Sequence, residues 1–177
     1  MSYQIDPLSA HFYAVDPGDI HVGLAEFRGG RCIAASETRP EAFCDMLFDL
    51  SHESDRSAGP NGVRGEMAPD LVVLERFALR GELMAQQQGS EFLTSQMIGA
   101  IRFICRRGGI PLVIQTPQQH KLIPKREPWK SWPLRRWTSY GHGPHAKSAE
   151  MHGLFYLQEQ LRGQSTVRMH QWLESLG

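Results

Sequence analysis

The sequence contains no run of about 18 apolar residues, so no segment is expected to span a bilayer. It carries no formal net charge, with Lys plus Arg and Asp plus Glu each numbering 19. Bulk electrostatics therefore gives no guide to a partner. Cysteine is scarce. Cys32, Cys44 and Cys105 form an odd set with no close pair, which excludes a disulfide framework and a zinc knuckle. Such thiols are expected to act as small buried apolar groups and to fit a reducing, cytoplasmic compartment. The start, Met1 to Asp6, lacks the basic residues and apolar stretch of a secretory signal. No internal repeat, Walker-type glycine loop, Ser-His-Asp order or Cys-His order is visible. A chain of 177 residues is expected to fold as one domain with a substantial core.

What is present first is a series of short apolar runs. Phe12 to Asp16 reads as a strand, Asp16-Pro17-Gly18-Asp19 as a turn, and His21 to Phe27 as a second strand with Val22 and Leu24 on one face. Gly29-Gly30 signals a hairpin into a third strand, Arg31 to Ala35. Pro40 opens a helix whose apolar stripe is Phe43, Met46, Leu47 and Leu50. Residues 51–69, rich in Ser, Gly, Asp and Arg, read as a surface loop. Leu71 to Glu75 is a fourth strand, and the Leu79 to Gly89 stretch with its glutamine tract is left open. A helix is expected from Ser90 to Arg107, through Met97, Ile101 and Ile104, stopped by Gly108-Gly109. Ile110 to Gln115 is a fifth strand. Residues 121–144 read as irregular, followed by an amphipathic helix from His145 to Leu161 and a short helix through Met169, Trp172 and Leu173. Early hairpins imply antiparallel strands and later alternation implies parallel ones, hence a mixed sheet flanked by helices.

Two of these strands end on an acid. Val15-Asp16 and Leu74-Glu75 bring a carboxylate to the end of an apolar run. Side by side, such carboxylates bind hard divalent cations, and paired ions clamp the attacking and leaving oxygens of phosphodiester cleavage. Each acid also has a plainer reading. Asp16 suits a turn-initiating aspartate, and Glu75 suits a strand-end surface acid.

The segment Lys121 to Lys147 concentrates cations: Lys121, Lys125, Arg126, Lys130, Arg135, Arg136 and Lys147 stand against the single acid Glu127. Trp129, Trp132, Trp137 and Tyr140 are interleaved. Cations contact phosphates and flat rings stack on exposed bases, which makes this a nucleic-acid-binding candidate. The alternative is a surface loop whose tryptophans fill a core edge or a dimer contact.

Taken in order, four stretches resemble the RuvC-type Holliday-junction resolvases, especially their phage-encoded relatives. They are Ala14-Val15-Asp16-Pro17-Gly18 with Gly23, Pro69 to Phe77 around Glu75, Met97-Ile98-Gly99-Ala100-Ile101 through Pro111, and His145 to His152. The resemblance implies a single RNase H-like α/β domain over residues 1–177: a five-stranded mixed sheet flanked by helices, with 121–144 as an irregular basic, Trp-rich insertion. It implies a structure-selective endonuclease that cuts branched DNA. The cofactor implied is Mg²⁺ or Mn²⁺, as two ions. The cell implied is a bacterium or a phage-infected host. Two symmetric incisions imply a homodimer, with the Ser90 to Arg107 helix as the candidate interface.

By the same resemblance the catalytic positions are Asp16, Glu75, His145 and Ser148, with Asp16, Glu75 and His145 as metal ligands. Ser148 stands where the family places an aspartate. A serine is a neutral, weak ligand, so the alternative is a nucleic-acid-binding protein of the same fold with weakened or lost catalysis. Three neighbours are also considered. Glu150 is expected to face solvent, given its angular offset from Ser148 on a helix. Asp19 is placed near the ions through water. His152, on the Ser148 face, is read as a ligand, a proton carrier or a residue packed on the sheet.

Overall fold

The computed structural model describes residues 5–57, 68–76, 93–119 and 143–164. Strands β1 (His11–Asp16), β2 (Val22–Arg28) and β3 (Arg31–Thr38) lead into helix α1 (Pro40–Ser57). Strand β4 (Leu71–Glu75), helix α2 (Leu93–Arg107), strand β5 (Leu112–Gln115) and helix α3 (Pro144–Gln164) follow. The strands form one sheet in the order β3-β2-β1-β4-β5. β1 pairs antiparallel with β2, and β2 with β3. β4 lies parallel to both β1 and β5. This is the expected five-stranded mixed sheet. Gly29 and Gly30, at φ 57° and 72°, make the tight β2–β3 turn, where side-chain-bearing residues are strained.

Strand periodicity sorts the sheet into two faces. Tyr13, Val15, Val22, Val72 and Leu74 pack with Phe43 and Leu47 of α1 and Met97, Ile101 and Ile104 of α2. Phe12, Ala14, Ala25, Phe27, Leu71 and Val73 face the other way, onto Ala146, Ala149, Leu154, Leu157 and Leu161 of α3. Phe12 and Phe27 stack at 4.7 Å between ring centroids on that face. β1, β2 and β4 thus bury apolar groups on both sides, and the polar residues at the ends of β1 and β4 stand out against that background. No helix among the described residues is long and apolar enough to cross a membrane.

Three elements depart from the sequence reading. β3 runs on to Thr38, past the expected end at Ala35, because the polar residues Ser36, Glu37 and Thr38 still pair with Leu24, Gly23 and Val22 of β2. α1 continues to Ser57, through residues read as the start of a surface loop. A polar run signals a turn, but polar side chains also suit the exposed side of a helix. Ser51 Oγ donates to the Phe48 carbonyl at 2.7 Å within it, the back-bonding pattern that keeps a serine inside a helix. α3 is buried without interruption from His152 to Gln158, so it has no exposed stripe along that stretch. The expected amphipathic helix is an enclosed one there. The open Leu79 to Gly89 stretch, residues 90–92, the basic segment 121–142 and the tail helix lie outside the described residues.

Candidate active site

The sheet registers bring five residues into one row. Glu37 of β3 lies opposite Gly23 of β2, and Gly23 opposite Asp16 of β1. Val15 pairs with Leu74, which sets Asp16 beside Glu75 at the end of the adjacent parallel strands. Glu75 in turn pairs with Gln115 of β5. Neighbouring strands are about 4.8 Å apart, so the two acids are immediate neighbours. All five positions share the parity of the residues that face α3. Gly23 is the gap in the row. A Cβ there would run into the backbone carbonyl of His145, so the glycine lets the start of α3 settle onto the sheet.

α3 then supplies a side chain to each acid. His145 Nδ1 lies 3.1 Å from Asp16 Oδ2. His152 Nε2 lies 2.7 Å from Glu75 Oε2, and its Nδ1 lies 2.6 Å from Gln115 Oε1. Ser148 Oγ donates to Glu75 Oε2 at 3.4 Å. Access is graded along the helix. The His145 side chain is 38% exposed, those of Asp16 and Glu75 13% and 14%, and that of His152 is wholly enclosed. A reactant can therefore approach from the His145 end.

Burial pushes the Asp16 carboxyl up to about 6, the negative charge of Glu75 adds to that rise, and His145 opposes it. The two acids are also close enough to share a hydrogen bond. Adjacent carboxylates with a raised pKa form a site where negative charge is held against its own repulsion. An added cation relieves that repulsion.

Asp16, Glu75, His145 and Ser148, named from the sequence, all meet at this place. Two neighbouring readings are corrected. Glu150 does not face solvent: it is fully buried, and neither carboxyl oxygen has a hydrogen-bond partner. The reading assumed a helix with one buried face, whereas α3 is enclosed along that stretch. Asp19 does not turn toward the acids. Its Oδ1 accepts from Thr94 N at 2.9 Å and from the Thr94 hydroxyl, capping the start of α2. His152 packs on the sheet and holds Glu75. Lys121, Lys125, Arg126, Lys130, Arg135, Arg136, Trp129 and Trp132 lie outside the described residues.

Glu37 and Gln115 were not singled out in the sequence. Gln115 had a faint signal, since β5 ends on a polar residue just as β1 and β4 end on acids. That signal acquires meaning only once the β4–β5 register is known.

The donor set can be tested against a divalent ion. Two adjacent carboxylates match the oxygen preference of Mg²⁺ or Mn²⁺, and the raised Asp16 pKa marks a charge imbalance a cation corrects. Among the described residues, no three His, Cys, Asp or Glu side chains converge to hold one ion together. Each imidazole points a ring nitrogen at a carboxylate oxygen. The pair Asp16 and Glu75 fits the ion, and the histidines fit as partners of its ligands.

No family model matches the chain, and no curated protein matches it. Solved structures do. RuvC of T. thermophilus in complex with a Holliday junction substrate shares 15% identity at TM-score 0.53, over 85% of this chain and 95% of that one. A second Thermus thermophilus RuvC structure shares 13% at TM-score 0.51, with the same coverage. The yeast mitochondrial Holliday junction resolvase Ydc2 shares 13% at TM-score 0.41, over 92% of this chain and 84% of that one. At these identities the likeness concerns architecture: the chain has the fold of RuvC, an RNase H-like mixed sheet with flanking helices.

Proposed function

We propose that this protein is a divalent-metal-dependent endonuclease that cuts branched DNA of the four-way-junction class. The observation that carries the reading is the Asp16–Glu75 pair, set side by side by the parallel β1–β4 register. The fold likeness to a RuvC solved on a Holliday junction supports the substrate class.

Asp16 and Glu75 would hold Mg²⁺ or Mn²⁺. The bound metal would supply Lewis-acid activation of water and stabilisation of the departing 3′ oxygen. The chain's own groups do the rest. His145, the most exposed member, orients Asp16 through Nδ1 and stands at the open side, where it can order a water for in-line attack. Ser148 and His152 fix one oxygen of Glu75. Burial keeps bulk water from screening the carboxylates. The basic, Trp-rich segment 121–147 is proposed to track the phosphates and stack on bases at the branch. A homodimer through α2 is part of the proposal. Gly99 has open space around its Cα, and Phe103 on the same helix is 63% exposed. The whole chain is proposed to act as one domain in the cytoplasm, on DNA of the cell or of an infecting phage.

A second reading has its own observation. Ser148 donates to Glu75 instead of adding a charge, which favours a junction-binding protein with weakened cleavage. One experiment separates the two. The purified protein is given a labelled four-way junction and a linear duplex with Mg²⁺ or Mn²⁺. The nuclease reading expects nicks in the junction, and a loss on the order of a thousandfold, ~4 kcal/mol of transition-state stabilisation, in Asp16→Asn or Glu75→Gln. Junction binding without cutting in both metals supports the second reading; Ser148→Asp is then expected to raise cleavage.

A further inference from the structure

The row across the sheet has two outer members, Glu37 and Gln115, that touch neither carboxylate of the Asp16–Glu75 pair through any contact described above. Each instead holds the histidine that does. Glu37 Oε1 accepts from the backbone N–H of His145 at 2.8 Å. The first N–H groups of a helix have no partner within the helix, and an acid there also meets the positive end of the helix dipole. A β3 side chain thus fixes where α3 begins, and with it the His145 ring on Asp16. At the other end, Gln115 is 4% exposed and anchors His152 Nδ1 at 2.6 Å. His152 Nε2 lies 2.7 Å from Glu75 Oε2. A fully enclosed ring tied at both nitrogens cannot turn without breaking a buried hydrogen bond.

We propose that Glu37 and Gln115 are the positioning residues of this centre, Glu37 acting on Asp16 through His145 and Gln115 acting on Glu75 through His152. The proposal rests on the nuclease reading for its kinetic consequences and on geometry alone for its spectroscopic ones. Its physical basis is that a carboxylate pair works only if each member points where the charge is needed, and outer partners hold that direction. The sheet makes this possible because one register row places anchor, gap, acid, acid and anchor in line, under a helix that returns one imidazole to each acid.

The test uses the full chain. Gln115→Met and Glu37→Ala are each expected to lower kcat on a four-way junction by about ten- to a hundredfold, with KM changed less than about twofold. Glu37→Gln keeps the acceptor oxygen and is expected to restore most of the loss. Acting through a histidine predicts non-additivity: Gln115→Met adds nothing in a His152→Leu background, and Glu37→Ala adds nothing in a His145→Ala background. Independently of cleavage, the imidazole ¹⁵N shifts are expected to move at His152 in Gln115→Met and at His145 in Glu37→Ala, each without the other. Additive losses, or ¹⁵N shifts that stay put, overturn the proposal. If Glu37→Ala does not fold, Glu37→Asp, whose shorter side chain draws the acceptor away from the His145 N–H, carries the same readouts. A wild type that cuts no junction sinks the nuclease reading, while the ¹⁵N shifts still decide the anchoring.

Discussion

On the α1–α2 face of the sheet, Tyr13, Val15, Val22, Val72 and Leu74 meet Phe43, Leu47, Met97, Ile101 and Ile104. Among the described residues, the buried polar side chains of those two helices are Ser51 and Thr94, and each has a hydrogen bond. On the α3 face β1, β2 and β4 carry apolar residues and then break into Asp16, Gly23 and Glu75, in a row completed by Glu37 of β3 and Gln115 of β5. The helix above answers with buried Glu150, His152 and Gln158. One face therefore gains stability from continuous apolar contact. The other gives up part of that gain to hold charge and polarity out of water, a cost that pairing offsets at His152 and that the unpaired Glu150 carboxyl leaves standing. The contrast teaches that the continuous apolar core and the candidate site lie on opposite sides of a single sheet, so substitutions on the two sides should separate in their effects.

The largest effect tests the apolar face. Ile101 is fully buried between α2 and the sheet. Ile101→Ala is expected to cost about 2–5 kcal/mol in denaturant unfolding, yet to leave junction cleavage by the folded fraction at low temperature unchanged. A parallel loss of kcat would show that the two faces are mechanically coupled and that the contrast is wrong.

Glu150 sharpens the comparison from the other side. Its carboxyl is buried without a partner, and burial pushes its pKa up to about 7 from 4.5. The native state therefore holds this proton more tightly than the unfolded chain does. The stability it supports is present below pH 4.5 and is lost as the pH rises through about 7. Glu150→Met removes the orphan polar group with little change of shape. It is expected to stabilise the protein at pH 8 by about 1–3 kcal/mol and to flatten the decline of Tm between pH 5 and 8. An unchanged Tm–pH curve would mean the carboxyl is solvated in the native state.

How much of this could be read beforehand depends on the range of the signal. Strands ending on Asp16 and Glu75 were legible because apolar runs and terminal acids are local. Their adjacency followed from the parallel pairing that alternating strands and helices imply. The hairpin at Gly29-Gly30 and the stop at Gly108-Gly109 were equally local. Glu37 and Gln115 were not legible, because their meaning lies in registers. His152 meets Gln115 across 37 positions, and His145 meets Glu37 across 108. No turn residue fixes either register. Glu150 was misjudged because angular spacing on a helix locates a buried face only when the helix has an exposed one. The length of α1 was underestimated because polar residues are as common on a helix surface as in a loop.

The smallest effect concerns Asp19, which joins the two faces. It follows the β1 turn that begins at Asp16, yet its carboxylate accepts from Thr94 N at 2.9 Å and so caps α2 from outside the helix. Replacing a capping acid by alanine costs about 0.5–2 kcal/mol, and a chain of this size loses roughly 2–4 °C of Tm per kcal/mol. Asp19→Ala is thus expected to lower Tm by a few degrees and to speed amide exchange at Thr94, with Asp19→Asn losing less because it keeps an acceptor oxygen. Cleavage is expected to fall less than about threefold, since the side chain belongs to the stabilising face. A loss near a hundredfold, the size expected when a partner of a metal ligand is removed, would instead place Asp19 with the carboxylate pair. The boundary between structural and chemical residues would then run through the Asp16–Asp19 turn itself, and not between the two faces of the sheet.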